Sequence, residues 1–442
     1  MKAKPLVRAL FLSFLAHGAA QAADLLTVYR DAVGYDASFA AAKATAVAGR
    51  EAIPQARAGL LPNIGFSANA MKNDITGTVK SSPERNVAAY YPSHGWTVSL
   101  TQPLFRWDRW AGYNQAEARV AQSDAQYALA KQDLIVRVAQ AYFDVLQSNE
   151  ALAASIANSK AIAEQLEEAK RSFEVGTKTV VEVHDAQARY DLARAQEIVA
   201  ANDQAVKIEQ LRLVTGKTYG SLKDLKPKLV IPRPQPDNAE QWASSAEQGY
   251  FGVQAAQAQY NVADSEVSRQ RAGHLPTLDF VASRGNAYQG ANITTGFGSD
   301  ITSTVVGVQL SIPIFSGGAV NSAVDQASAL RDKSAADLDY AKRNAALLAR
   351  QSYLGVSAGL AQVQALEAAL ISAQSALDSN KLGFEVGVRT NIDVLNAQSQ
   401  YYDTVQKLKK ARLDTLAALL KLRGAAGTLD DTDLEAINGL LE

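Results

Sequence analysis

The sequence predicts a mainly α-helical chain with a membrane β-barrel part, built from a duplicated half-unit that supplies four strands and long coiled-coil helices. Three observations carry this reading. First, motifs recur about 210 residues apart: Ala58-Gly59-Leu60-Leu61-Pro62 returns as Ala272-Gly273-His274-Leu275-Pro276, Gln102-Pro103-Leu104-Phe105 as Ile312-Pro313-Ile314-Phe315, and Phe173-Glu174-Val175-Gly176 as Phe384-Glu385-Val386-Gly387. The offsets are 214, 210 and 211, so whole halves are copied, and neither half is expected to bury its apolar faces alone. Second, each half contains two short segments that alternate apolar and polar side chains. Third, each half contains one helical stretch far longer than a compact domain is wide.

In chain order, residues 1–22 read as a signal peptide. Lys2, Lys4 and Arg8 supply charge, Leu10 to Leu15 an apolar run, and Ala20-Gln21-Ala22 the small residues of a cleavage site. The apolar run is far shorter than the ~20 residues that cross a bilayer as a helix. The first repeat is placed at 23–222, a Pro-rich linker at 223–238 (Pro227, Pro232, Pro234, Pro236), the second repeat at 239–427, and a C-terminal segment at 428–442. Residues 24–57 and 239–272 are rich in Ala, Gln, Glu and Arg and read as helices of about 34 residues, each ended by Leu-Pro.

After each Leu-Pro the period changes to two. Ile64, Phe66, Ala68 and Ala70 alternate with Gly65, Ser67 and Asn69; Trp96, Val98 and Leu100 alternate with Thr97, Ser99 and Thr101. Leu278, Phe280 and Ala282, then Val306, Val308, Leu310 and Ile312, repeat the pattern. These are expected to be four strands of about nine residues, joined in pairs by polar loops at 72–94 and 285–303. Long helices follow at 108–174 and 318–385, each closed by a turn at Gly176 or Gly387, where glycine takes the left-handed conformation that caps a helix. Return helices then run to about 215 and 423. Leu192, Val199, Val206 and Leu213 lie on one seven-residue grid; Val394, Tyr401, Leu408, Thr415 and Leu422 lie on another. Such a grid implies left-handed supercoiling against neighbours.

Alternation over about nine residues suits a strand with one face in lipid and one in water, and Trp107 and Trp110 follow the second strand where an interfacial aromatic girdle would lie. A soluble antiparallel sheet with one buried face gives the same alternation. Helices that run about 100 Å away from the sheet offer it no covering layer, which favours lipid. Four strands cannot close a barrel, and an open edge in hydrocarbon leaves backbone groups unpaired. A shared barrel made by two or three copies is therefore expected.

Composition excludes several classes. There is no cysteine, hence no disulfide framework, no thiolate metal site and no lipid-bearing cysteine at the mature N-terminus. The net charge is −1, from 44 basic and 45 acidic residues, which gives no field for nucleic acid. His17, His94, His184 and His274 are scattered, and no nucleophile and base, metal-ligand spacing or phosphate loop is found. No enzyme activity and no cofactor are expected. Gly317-Gly318 reads as a bend from strand into helix.

Several of these residues carry a resemblance that spans the whole mature chain: Ala272-Gly273-His274-Leu275-Pro276-Thr277-Leu278-Asp279, Ile312-Pro313-Ile314-Phe315 with Gly317-Gly318, Gly387-Val388-Arg389-Thr390 with Asp393-Val394-Leu395, and Ala141-Tyr142-Phe143-Asp144-Val145-Leu146. In their order and spacing the sequence resembles the TolC family of outer-membrane channel-tunnels. The resemblance implies a homotrimer with a twelve-stranded barrel in the outer membrane and an α-helical tunnel in the periplasm. It implies a passive exit duct recruited by a periplasmic adaptor (a membrane fusion protein) and an inner-membrane ABC or proton-driven pump, for type I protein secretion, drug efflux or both. The missing lipid-bearing cysteine is closer to the type I secretion branch. An exported periplasmic coiled-coil scaffold or adaptor without a barrel is the alternative.

The resemblance also implies site residues. The turns at Gly176 and Gly387 mark the periplasmic tips. Asp393 matches the first of two acidic positions at the periplasmic constriction, while the second is Asn396, a departure expected to weaken cation preference. Arg389 matches an arginine that links hairpins when the duct is shut, and Glu182, on the first-copy hairpin, is its expected partner. Phe384 occupies an aromatic position that carries a hydroxyl in the family, so one closing hydrogen bond is lost here. A water-exposed Arg–carboxylate pair contributes only about 0 to 1 kcal/mol, so weak links make a reversible gate.

Overall fold

The computed structural model of the chain describes residues 22–80, 83, 85–177, 179–227, 229–291 and 297–442. Except for Ala22, the signal-peptide segment lies outside them. The first copy runs α1 (Leu25–Tyr35), α2 (Ala37–Arg50), α3 (Ala52–Ala58), β1 (Asn63–Val79), β2 (Arg85–Phe105), α4 (Trp107–Glu174) and α5 (Val180–Thr215). The second runs α6 (Ala239–Gly249), α7 (Phe251–Arg271), a 3-10 turn at Ala272–His274, β3 (Thr277–Gln289), β4 (Ser299–Ser311), α8 (Ala319–Glu385) and α9 (Asn391–Ala425), followed by α10 (Asp431–Asn438). Helices α4 and α8 have 68 and 67 residues, or about 100 Å at 1.5 Å per residue.

The helices expected at 24–57 and 239–272 are broken, the first at Asp36 and at Glu51 and the second at Tyr250. Asp36 leaves the helical region (ψ 115°), and its carboxylate accepts the Phe39 N–H at 2.6 Å, the arrangement of an aspartate capping a new helix. The guanidinium of Arg137 then holds the same carboxylate through two nitrogens at 3.0 and 3.1 Å. Tyr250 makes the corresponding break in the second copy with extended backbone (ψ 126°). Helical propensity favours helix through both stretches, and at Asp36 the local competition of the aspartate for a backbone N–H overrides it.

The strands are also longer than expected, at 17, 21, 13 and 13 residues. Most of the stretches expected as loops, 72–94 and 285–303, belong to the ladders: Asn73 pairs with Tyr91, Asp74 with Tyr90, and Asn286 with Thr302. Polar side chains join these rows directly, Asn73 to the Ser93 hydroxyl at 2.9 Å and Asn286 to Asp300 at 2.6 Å. Polarity decides which solvent a strand meets, not whether its backbone is paired.

The sheet is antiparallel in the order β1-β2-β3-β4. Its register puts Ile64, Leu100, Ala282 and Val306 in one row on one face, and Gly65, Ser99, Ser283 and Val305 in a row on the other. The apolar row is next to the helices; further along the same face stand Asn286, Thr302 and Asp300. Strands β1 and β4 are both edges, and each leaves a line of backbone groups without a partner strand inside the chain.

The chain forms two compact units, and each takes segments from both copies. One comprises Ala42–Leu129 and Phe251–Asn344 and contains the sheet. Here Arg106, between β2 and α4, donates to both oxygens of the buried Asp279 on β3 at 3.0 and 2.6 Å, and the Gln102 amide donates to the Leu60 carbonyl at 3.0 Å. Trp107 and Trp110 occupy the first turn of α4, both about half exposed.

In the same unit, Glu266 of α7 accepts from Arg269 at 2.6 and 2.8 Å, from Gln270, and from Gln115 at 3.0 Å. Hydrogen bonds from Arg269 above all, against the pull of burial, hold its carboxyl down at about 2. A carboxyl lowered by folding stabilises above its ordinary value, and that stabilisation is lost as pH falls toward the lowered one. Glu266→Gln is therefore expected to remove about 1 to 2 kcal/mol at neutral pH, after allowing for solvent screening of Arg269, and only a small part of that near pH 2. Thermal unfolding followed by circular dichroism at both pH values checks this.

The other unit takes the segment ending at Ala41 together with Ala130–Tyr250 and Ala345–Glu442. Leu25, Val28, Leu134, Ile135, Tyr142 and Leu434 are among the side chains sealed in its core. The linker is fixed to this core: the Tyr142 hydroxyl donates to the Lys223 carbonyl at 2.7 Å, and Leu225 bridges to Leu441. Lys409 of α9 donates to Glu150 at 2.8 Å and to Asp224 at 2.5 Å.

The two seven-residue grids differ in environment. Val394, Leu408, Thr415 and Leu422 are buried and Tyr401 is half-buried, whereas Leu192, Val199, Val206 and Leu213 are 66, 69, 45 and 79 % exposed. Helix α8 also shows an exposed pair at that spacing, Leu347 and Leu354.

Candidate functional site at the hairpin turns

Helices α4 and α5, and then α8 and α9, meet in matching turns. Gly176 and Gly387 both have φ of 76°, a conformation that lets the chain fold back without a side-chain clash. The Gly176 N–H donates to the Phe173 carbonyl at 2.9 Å and Thr177 to Ser172 at 2.9 Å; Gly387 and Val388 make the same bonds to Phe384 and Gly383 at 3.0 and 2.9 Å. These bonds satisfy carbonyls at the ends of both long helices.

Each return helix starts with a reciprocal cap. The Thr390 N–H and hydroxyl donate to Asp393 at 2.9 and 2.8 Å, and the Asp393 N–H donates back to the Thr390 hydroxyl at 3.3 Å. Glu182 accepts the Thr179 N–H at 3.5 Å. Glu182 and Asp393 are thus equivalent positions of the repeat, 211 residues apart like the glycines. Both carboxylates close the first turn of their own helices, where the helix dipole also favours negative charge. Bonds from the Thr390 backbone and side chain hold the Asp393 carboxyl below the usual carboxylate range.

Arg389 is exposed, and its methylene stem lies across Gly383. Among the described residues of one chain, Arg389 forms no ion pair with Glu182. Phe384 is half-buried in the last turn of α8. Asn396 is exposed one turn beyond Asp393. Beneath these groups, Ile162 of α4, Ala193 of α5 and Leu395 of α9 bury together with Tyr190 against them, and Leu166, Ala169 and Ala186 form a second cluster nearer the α4–α5 turn.

Sequence reading missed four residues here. Thr179 and Thr390 were legible as the Thr-x-x-Glu/Asp signature of a capped helix start. Asp185 and Arg189 were legible only through the repeat, which aligns Asp185 with Asn396 and Arg189 with Gln400. Arg189 donates to Asp185 at 3.1 Å and to Asn396 at 3.5 Å, so first-copy charges stand beside the second-copy position that lacks one. No group of three or more His, Asp or Glu suited to a metal is present among the described residues.

The family model for outer membrane efflux proteins matches residues 28–217 and 242–428, once for each copy of the repeat. The chain belongs to the outer membrane efflux protein family. The outer membrane protein TolC of Vibrio cholerae is 33 % identical over 95 % of this chain and 94 % of that protein. The alkaline protease secretion protein AprF of Pseudomonas aeruginosa is 32 % identical over 93 % of this chain and 86 % of that protein. Among solved structures, the Campylobacter jejuni CmeC outer membrane channel superposes with a TM-score of 0.79 at 15 % identity, covering 95 % of this chain and 90 % of that one. As a family member the chain is an outer-membrane exit duct and not an enzyme. The resemblance read from the motifs and the fold class, four strands plus long helices from a duplicated half, agree with these matches.

Proposed function

We propose that the duct works as a homotrimer in which three sheets close one twelve-stranded barrel in outer-membrane lipid, with the helices forming a tunnel that an adaptor and an inner-membrane ABC or proton-driven pump engage. The open edges of β1 and β4 carry this reading: in hydrocarbon their backbone groups need partners, and one chain supplies none. The exposed grid Leu192, Val199, Val206 and Leu213 supports it from the helical side, because a heptad stripe of that kind is an unfilled coiled-coil seam. Trp107 and Trp110 are assigned to the interfacial girdle. Crosslinking of the purified native assembly is expected to stop at three chains, and a ladder that never leaves monomer overturns the proposal.

Type I protein secretion is the proposed route, supported by similarity to AprF and to the proteases secretion protein PrtF of Dickeya chrysanthemi at 30 % identity. Drug efflux is the second reading, favoured by the family description. A deletion strain that loses secreted proteins but keeps its drug resistance supports the first, and the converse supports the second.

The gate is assigned to the hairpin turns. Since Glu182 and Arg389 do not meet within one chain, their pair is placed between hairpins of neighbouring chains, with Asp393 and Asn396 at the constriction. Arg389→Ala and Glu182→Ala are expected to raise single-channel conductance in planar bilayers, and Asp393→Asn to lower cation selectivity while keeping a cap for α9. Unchanged conductance and selectivity in all three variants would remove the gate assignment and leave the fold untouched.

A further inference from the structure

A departure between the two copies points beyond the acidic constriction. Helix α5 is fixed against α9 by the burial of Ala193 on Leu395. Arg189 lies one turn before Ala193 and Asn396 directly follows Leu395, so the guanidinium is carried to the level of Asn396. It bonds both Asp185 and the Asn396 amide oxygen. Asp185 occupies the position in the first copy that Asn396 occupies in the second, and Arg189 the position of Gln400. The carboxylate missing from the second copy is therefore present in the first, and it is neutralised there by a cation that the second copy lacks.

We propose that Arg189 is a specificity-determining residue of the duct: set between Asp185 and Asn396, it cancels the negative charge at this level and lowers the preference for cations. The proposal rests on the assignment of Asp393 and Asn396 to the constriction. Its physical basis is the short separation: a carboxylate beside a guanidinium no longer attracts passing cations as an isolated one does. The three copies of a trimer would multiply the effect.

The test is the K+ over Cl− permeability ratio from reversal potentials in a KCl gradient, for the wild-type assembly, Arg189→Gln, Arg189→Lys, Asn396→Asp and the double variant Arg189→Gln/Asn396→Asp. Recovery of each variant as an outer-membrane trimer checks folding. Arg189→Gln is expected to raise the ratio by freeing Asp185, and Arg189→Lys to keep it at the wild-type level. Asn396→Asp alone leaves two carboxylates sharing one guanidinium, a net charge of −1 at this level, and should raise the ratio about as much as Arg189→Gln. The double variant should raise it roughly fivefold, the factor that corresponds to about 1 kcal/mol between unit charges a few ångströms apart in water. If Asn396→Asp raises the ratio but Arg189→Gln leaves it at the wild-type level, or if Arg189→Lys behaves like Arg189→Gln, Arg189 does not act through its charge and the proposal is overturned while the constriction assignment stands. If even the double variant matches wild type, position 396 does not face the ion path, and both fall.

Discussion

Gly427→Ala is expected to destabilise the helical unit by about 4 kcal/mol, whereas Gly216→Ala at the equivalent place in the first copy should cost about 1 to 2 kcal/mol. Gly216 and Gly427 end the return helices α5 and α9, with φ of 71° and 73°. An alanine at either site is strained by that backbone alone, so the strain is shared. The surroundings are not. A Cβ on Gly427 would run into the Gly249 carbonyl oxygen, which is backbone at the break between α6 and α7 and cannot swing away. A Cβ on Gly216 would meet the ring of Tyr35, at the break between α1 and α2, and this side chain is 60 % exposed and free to turn. Thermal unfolding of both variants, read at the helical band in circular dichroism, decides the matter. Equal losses would mean that the close approach at Gly249 is not a constraint.

Lys409→Met should be damaging for a different reason, with an expected loss of about 3 to 5 kcal/mol. Burial alone pulls the Lys409 ammonium toward the neutral form, yet the hydrogen bonds it donates to Asp224 and Glu150 reverse that and raise its pKa. Removing the cation leaves Glu150 three-quarters buried beside Asp224 with no counter-charge. Because folding raises this group's pKa, its stabilisation is complete below the ordinary lysine value and fades as pH climbs through the raised one. The variant and the wild type should therefore converge in stability at strongly alkaline pH. Replacing Glu150 and Asp224 by Gln and Asn in the Lys409→Met background should restore part of the loss, since uncharged partners need no cation. If the triple variant is no more stable than Lys409→Met, the lost term is packing by the lysine stem.

The repeat made much of this molecule legible. Long helices without internal proline, alternating strands and glycine turns all follow from local patterns, and the 211-residue offset places one hairpin tip once the other is known. What escaped detection was competition and context. Asp36 breaks a helix because its carboxylate takes a backbone N–H, and a single aspartate in a helical sequence seldom announces that. In the outer parts of the strands the alternation is diluted, Ile75 and Val79 being interrupted on their own face by Asn73 and Gly77, and pairing with Tyr90, Tyr91 and Thr302 is what reveals these stretches as strand. At the turns, the residue types were found but their local work was not. Glu182 was expected as a gate link and Asp393 at the constriction; what the structure shows is each carboxylate capping its own helix. Arg189 was missed because its significance depends on Asn396, on another helix, and sequence distance hides that neighbour.

The order of the sheet also governs when the protein can fold. Its central pairing joins β2 to β3, with Phe105 beside Leu278, so the contact that unites the sheet waits for the second copy to emerge. Until then the first hairpin presents β2 as a long open edge, with Trp96, Val98 and Leu104 exposed on it. Pairings between distant segments form slowly, and open strands aggregate meanwhile. Export therefore creates an interval in which this chain must be shielded by other molecules, and its length is set by the time needed to deliver α4 through α7.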